Sequence, residues 1–438
     1  MRIQSLALLA FLAAVGCNSA QLRFTTLRLT STLPDLQERQ VLDNLARLAS
    51  SPGALPYFAV VDAGTANIDD NGGGSLGFAG APQVFTTGNY GLSASRTVTG
   101  NWSLKPLNNP DRLAAIVLPR SGEPTFVVCK IEEAQVRAGS PLTDIRSYIE
   151  FAVSPTEPIA AVVREKGSAG GRWGVETKVL TAHYYQELVG LLPEATLVNA
   201  GDLFDEVRLI KRPEESDLLG RAALATDGAI RAAFCSGRVG GTDKQIADAL
   251  AQGIQNTGAD AVAFLVLGAG VNAAQAHPFA ANLTLQSGDI VRCDVGGAYS
   301  GYYSDMARTA VMGRASAEQA DTYRKLWQIH NETIAAAVPG ARAKDVYLAC
   351  RAAFQRLGLT LNLPHIGHSL GIGLHEPPLL HPSNDTVLQA GMVLAIEPAH
   401  RLDGGPIYHV EDLVLLTAEG NRILSRSADW SELLVIGG

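Results

Sequence analysis

Four acidic residues in the C-terminal half of the chain occupy places that an ordinary soluble fold does not tolerate. Asp294 closes the apolar stretch Asp289-Ile290-Val291-Arg292-Cys293-Asp294, Glu397 closes Met392–Glu397, and Glu411 lies within Ile407–Leu416. Asp305 ends a tyrosine-rich run, Tyr299-Ser300-Gly301-Tyr302-Tyr303-Ser304-Asp305. These segments predict strands of a buried sheet, and a carboxylate in such a strand is costly unless it is paired or bound to a metal. Any one of the four alone reads as a helix cap, an edge position or a salt-bridge partner. Together they carry a charge of −4, which two divalent ions neutralise.

Glycines at 296, 297 and 301 let the chain fold back, so that two adjacent strands aim Asp294 and Asp305 into one cleft. His368, within Gly367-His368-Ser369-Leu370-Gly371-Ile372-Gly373, is the fifth candidate ligand. One imidazole among carboxylates suits Mn²⁺, Co²⁺, Fe²⁺ or Zn²⁺ rather than a thiolate-selected metal. Two such ions roughly 3.5–4 Å apart hold a bridging water, lower its pKa towards about 7 and polarise a carbonyl. That is an apparatus for hydrolysis.

The 438 residues, 47% hydrophobic and 18% charged, describe a folded globular chain of two to three domains at roughly 150 residues each. A net charge of −8, with no block of five or more Lys/Arg, sets nucleic-acid binding aside. Charge is uneven: the first 110 residues are about 12% charged and the remainder about 20%. The apolar run Leu6–Gly16 followed by Cys17 is too short to span a bilayer and resembles a bacterial lipoprotein cleavage site. On that reading residues 1–17 are a leader, Cys17 carries a lipid anchor and the protein sits at the bacterial cell envelope; otherwise it is cytoplasmic. Cys129, Cys235, Cys293 and Cys350 each lie in apolar runs without a C-x-x-C pair, which predicts buried free thiols, no disulfide framework and no zinc-thiolate site.

Apolar spacing predicts a helix over 35–49, and 50–110 reads as a turn-rich irregular segment or linker. Strands are predicted at 114–118, 125–129, 172–176 and 196–199, and helices at 131–136, 159–165 and 182–191. These form a small α/β domain over 113–211, preceded by a charge-poor segment at 18–112. Pro213-Glu214-Glu215 then opens a long helix, and the capping boxes Thr242-x-x-Gln245 and Ser316-x-x-Gln319 open two more. The last of these carries Tyr323, Leu326, Trp327, His330 and Ile334 on one face up to Pro339-Gly340, with His330 read as packed rather than as a ligand. Another helix ends at Gly358. Residues 212–438 read as an α+β domain with hairpin-connected strands.

An ordered set of motifs spans this last domain: Gly268-Ala269-Gly270-Val271-Asn272, Ala276-His277-Pro278, Gly288-Asp289-Ile290-Val291, Asp294-Val295-Gly296, Ser304-Asp305-Met306-Ala307-Arg308-Thr309, Gly367-His368, His375-Glu376-Pro377, Glu397-Pro398 and Glu411-Asp412. The set resembles the pita-bread metallopeptidases, which include aminopeptidase P, prolidase, methionine aminopeptidase and the non-metal creatinase. The resemblance implies that Asp294 chelates one metal, His368 and Glu397 bind the other, and Asp305 and Glu411 bridge both. It also implies that His277 and His375 position the scissile carbonyl and that Glu397 shuttles a proton to the leaving nitrogen. The implied cofactor is a pair of divalent ions, Mn²⁺ first and Co²⁺, Zn²⁺ or Fe²⁺ as alternatives. The implied partners are short peptide substrates and a second copy in a homodimer.

The α/β domain ahead of the motifs and His375-Glu376-Pro377 are similar to the proline-directed branch, which cleaves Xaa-Pro bonds. Three departures stand out. His409 occupies the usual arginine position before Glu411; Ala399-His400-Arg401 replaces Gly-x-Tyr after Glu397-Pro398; and residues 1–112 do not resemble the family's beginning. The first two leave dipeptidase and aminopeptidase specificity open. Three other functions are consistent with the sequence: a pita-bread binding module without turnover, a family hydrolase with a different small substrate, and an envelope protein whose main role lies in residues 18–112.

Overall fold

The structure is a computed structural model that describes residues 59–72, 85–86, 93–106, 113–167 and 169–437. Cys17 and the helix predicted over 35–49 lie outside the described residues. Where the sequence reads as irregular, β1 (Ala59–Gly72), β2 (Phe85–Thr86) and β3 (Ser93–Pro106) form an antiparallel sheet in the order β1-β3-β2. The linker expectation missed it because the Asn-, Thr- and Gly-rich run offers little of the apolar alternation by which a strand is recognised.

The described residues gather into two compact units, one comprising residues to Gly170 with Gln186–Glu194, the other Gly171–Tyr185 with Ala195–Gly438. In the first, β4 (Ala115–Val117) runs antiparallel to β5 (Thr125–Cys129), with α1 (Glu133–Gly139) following. β6 (Asp144–Tyr148) then pairs in parallel with β5, and α2 (Thr156–Glu165) buries Ile159, Val162 and Val163. The sequence reading passed over β6, because Asp144-Ile145-Arg146-Ser147-Tyr148 buries only Ile145 and Tyr148 and its polar residues dominate. β7 (Arg172–Val175), α3 (Ala182–Leu191) and β8 (Thr196–Asn199) follow at their predicted places, then an unpredicted α4 (Gly201–Leu209) whose four charged residues mask its short apolar face.

The C-terminal region repeats one pattern. Helices α5 (Pro213–Ser236) and α6 (Asp243–Asn256) precede β9 (Ala261–Ala269), β10 (Ile290–Tyr299), β11 (Tyr302–Tyr303) and β12 (Met306–Met312). Helices α7 (Ala317–Ala336) and α8 (Ala343–Arg356) then precede β13 (Gly367–Ser369), β14 (Glu376–Leu379) and β15 (Val393–Ile396). The ribbon β16 (Ala399–Arg401) and β17 (Ile407–His409) comes next, then β18 (Asp412–Thr417), β19 (Gly420–Ile423) and β20 (Leu434–Ile436). One sheet runs β11-β10-β12-β20 with β9 also on β10, and the other runs β14-β13-β15-β18-β19.

Each sheet is covered by its own helices. Leu219, Ile230 and Phe234 of α5 and Ile246, Leu250 and Ile254 of α6 pack on Val291, Cys293 and Val295 of β10. Tyr323, Leu326 and Ile329 of α7 and Val346, Cys350 and Phe354 of α8 pack with Leu394, Ile396 and Val414. Both capping boxes form, Thr242 with Gln245 and Ser316 with Gln319. This is the pita-bread architecture.

Three expectations need correction. β10 does not end at Asp294 but continues to Tyr299, so that acid sits mid-strand. The chain turns back at Ser300-Gly301, whose φ values of 50° and 83° suit a two-residue hairpin between Tyr299 and Tyr302. Gly296 serves close packing instead: a Cβ there would lie 2.2 Å from the Ser304 carbonyl oxygen. Cys235 is exposed, unlike the buried Cys129, Cys293 and Cys350, because it lies at the end of α5.

Candidate active site

Side chains alternate across a strand, so burying Val291, Cys293 and Val295 beneath the helices turns Arg292 and Asp294 to the opposite face of β10. Asp294 stands opposite Ala307 of β12. Asp305 lies just before β12 and is 4% exposed; burial raises its pKa, and Asp294 stands close enough to raise it further. Glu411 does not lie inside one apolar strand as expected but at the break between β17 and β18. The break is pinned across β12: Glu411 N–H donates to the Ala307 carbonyl at 3.0 Å, and Thr309 Oγ1 donates to the His409 carbonyl at 2.8 Å. Glu397 follows β15 directly and its N–H donates to the Ile366 carbonyl at 2.9 Å, next to the strand that carries His368.

The five candidate ligands therefore converge. Asp305, His368 and Glu411 offer ligand atoms all within 4.8 Å of one another. His368 Nε2 lies 3.5 Å from Asp305 Oδ2 and 3.7 Å from Glu397 Oε1. His368 Nδ1 is 3.0 Å from the Ser369 carbonyl; donating there leaves the Nε2 lone pair facing the acids, the orientation of a metal-binding imidazole.

Electrostatics marks the cluster as incomplete. Burial pushes Asp305 and Glu411 well above the ordinary carboxylate range, and the neighbouring acids push them further. Burial and Glu397 likewise raise Asp294. Burial works to raise Glu397 too, but His409, His368 and His365 outweigh it and leave that carboxyl below its usual value. Both carboxyl oxygens of Glu411 are buried without a hydrogen-bond partner. An acid with two orphan acceptors is an expensive object in a core, and bound cations would satisfy it.

The remaining predicted residues flank this centre. His277 is exposed, in the bend after a short 3₁₀ turn, and close enough to Asp294 to stabilise its charge. His375 is exposed, with its ring centroid 4.4 Å from that of His368. Its loop is fastened from below, because buried Lys211 donates to Glu376 Oε2 at 2.9 Å and to Ser369 Oγ at 3.1 Å, while Gly373 N–H donates to Glu376 Oε1 at 2.8 Å.

Sequence reading missed one histidine of the site, His365, and singled out His409 without tying it to Glu397. His409 Nε2 and His365 Nδ1 each stand 3.5 Å from a Glu397 oxygen, too long for full hydrogen bonds, and neither nitrogen has another partner. The spacing His365-Ile366-Gly367-His368 was the available signal for His365.

Behind the centre lies a buried charge network. Arg308 is fully buried and forms ion pairs at 2.8 Å with both Asp227 of α5 and Asp412 of β18, and it also donates to the Glu411 carbonyl. His330 Nε2 stands 2.9 Å from Asp412 Oδ2, so this histidine is packed and not a ligand. Burial works against the Asp412 charge, but Arg308 and His330 overcome it and hold the carboxyl well below its usual range.

Buried acids arranged with an imidazole around a common centre, on two helix-covered sheets, define a metal-dependent hydrolase. Residues 217–418 match the family described as Metallopeptidase family M24, and residues 99–210 match the Creatinase/Prolidase N-terminal domain. The probable dipeptidase PepE of Mycobacterium tuberculosis is 31% identical over 317 residues, covering 71% of this chain and 82% of that protein. The Xaa-Pro dipeptidase of Lactobacillus helveticus is 30% identical over 321 residues, covering 71% and 85%. Among solved structures, dipeptidase PepE from Mycobacterium ulcerans superposes with a TM-score of 0.66 at 31% identity, covering 74% of this chain and 87% of that one.

The chain belongs to metallopeptidase family M24. It is a metal-dependent peptidase, and the family implies divalent metal ions at the acid cluster. The N-terminal match starts at residue 99, ahead of the boundary at 113 expected for the α/β domain.

Proposed function

We propose that the protein hydrolyses Xaa-Pro bonds in short peptides with two divalent ions held by Asp294, Asp305, His368, Glu397 and Glu411. The observation that carries this reading is the pair of orphan oxygens on Glu411, buried beside Asp305 and His368. The names of the relatives, dipeptidase and Xaa-Pro dipeptidase, support the substrate class. A pair of such ions supplies an activated water and a polarised carbonyl. Asp305 and Glu411, raised in pKa and facing the same centre, would hold the ions together with Asp294, His368 and Glu397. Glu397 holds the proton taken from water and passes it to the leaving nitrogen, with His409 and His365 setting its acidity. Exposed His277 and His375 hold the scissile carbonyl from either side. Mn²⁺ is the first choice of metal for this ligand set, with Co²⁺, Zn²⁺ and Fe²⁺ also compatible.

Purified protein supplied with Mn²⁺ or Co²⁺ should cleave Ala-Pro and bind close to two equivalents of metal per chain by elemental analysis. Failure to cleave any Xaa-Pro peptide with either ion would sink the substrate class, and a single equivalent would sink the paired centre.

A pH dependence follows from the same acids. Asp305 and Glu411 have folded pKa values raised above 3.8 and 4.5, so without metal their contribution is fully favourable below those values. It is lost as pH rises through the raised values. Metal binding needs both ionised, and its stabilisation grows over the same span. The gap in melting temperature between metal-loaded and chelator-treated protein should therefore widen as the pH rises above 4.5. A gap that stays constant across that range would contradict the assignment.

A further inference from the structure

Two neighbouring guanidinium groups stand beside the acidic cluster, and Arg292 feels the attraction of Asp294. Arg292 is 2% exposed and shares the face of β10 that carries Asp294. It donates to the Gln275 and Ala276 carbonyls at 2.5 Å each, and its Nε has no partner. Arg401 is exposed at the end of β16 and donates to the Ala274 carbonyl. Between them they grip the three residues that precede His277, Arg401 at Ala274 and Arg292 at Gln275 and Ala276. Among the described residues neither forms an ion pair with a carboxylate.

The ribbon's register shows where Arg401 faces. Ala399 pairs with His409, and His409 reaches Glu397, so that face of the ribbon looks towards the metal cluster. Arg401 lies two residues beyond Ala399 and on the same face. The cation absent at position 409, where histidine stands, is thus present at 401 on the same face of the same hairpin.

An exposed arginine without a carboxylate partner, on the ribbon face that looks towards the acidic cluster, is placed to receive an anion that arrives with the substrate. In a dipeptide the terminal carboxylate sits one residue, about 3.8 Å of backbone, beyond the scissile position. We infer that Arg401 binds the free C-terminal carboxylate of the substrate and makes the enzyme a dipeptidase. Arg292 is a positioning residue that fixes the 274–276 carbonyls and adds to the local positive potential. This inference rests on the peptidase reading above but not on the preference for proline.

The test compares four substrates on metal-loaded full-length protein: Ala-Pro, its C-terminal amide, Ala-Ala and its amide. Wild type should favour each free acid over its amide. Arg401→Leu should lower the acid-to-amide ratio of kcat/KM about 10- to 100-fold, chiefly through KM, as expected for loss of a charge-assisted hydrogen bond to a carboxylate. Arg401→Lys should restore part of it. An equal loss on acid and amide would assign Arg401 to loop support alone and overturn the inference, as would an unchanged ratio. Cleavage of Ala-Ala but not Ala-Pro, with the acid preference intact, would reject the Xaa-Pro reading and leave this one standing. A wild type that cleaves none of the four overturns both.

Discussion

Glu411→Gln should abolish peptide hydrolysis and, in the same protein, raise the melting temperature of the metal-free form. The two effects have one cause. Glu411 is 1% exposed, both of its oxygens lack partners, and burial with three neighbouring acids works against its charge. Glutamine keeps the shape, removes the charge and adds two N–H donors that the remaining acids can accept. The stabilisation should be on the order of 1–3 kcal/mol, the usual penalty of an unsatisfied buried polar group. Metal binding moves the other way. Groups that merely orient a metal ligand are worth about 10–100-fold in affinity, so loss of a proposed ligand itself should cost at least about 100-fold. Elemental analysis, turnover at saturating metal and thermal scans in chelator read the three quantities. A variant that keeps wild-type turnover, or whose metal-free form melts lower, would overturn this account.

The second large effect lies behind the site. Arg308→Met leaves Asp227 and Asp412 buried without their shared cation, and breaking a buried ion pair by removing one partner costs about 3–5 kcal/mol. Denaturant unfolding followed by the fluorescence of Trp430, whose ring lies 5.2 Å from the Arg308 guanidinium, reports it directly. Adding Asp227→Asn should return part of the loss, since Asp227 then loses its unpaired charge while Asp412 keeps Arg426 and His330. A loss below about 1 kcal/mol for Arg308→Met would show that the network is already relieved by water. Arg308 also donates to the Glu411 carbonyl, so metal affinity should fall with stability.

That these acids gather was legible in the sequence because an acid in an apolar strand has few physical explanations, and the structure does bring Asp305, His368, Glu397 and Glu411 together. Strand limits were less legible. Gly296 and Gly297 read as the turn after Asp294, but they are packing positions inside β10, and the true turn sits at Ser300-Gly301. Glu411 read as the middle of one strand because Ile407–Leu416 is apolar throughout; only the pairing of β17 with β16 and of β18 with β15 shows the break. The Arg308 network was beyond reach. Arg308 and Asp412 are 104 residues apart, and Asp227 looks like any acid on a helix until Arg308, Ser427 and Trp430 are seen around it. Lys211 and Glu376 likewise become a pair only when the fold joins them.

The repeated order of two helices followed by antiparallel strands divides the ligands unequally. Asp294 and Asp305 come from the first set, on one hairpin, whereas His368, Glu397 and Glu411 come from the second. Contacts so distant along the chain form late in folding, after the loop-closure cost has been met. The cluster therefore exists only in a chain whose two halves have packed, because Asp305 of the first meets His368 and Glu411 of the second.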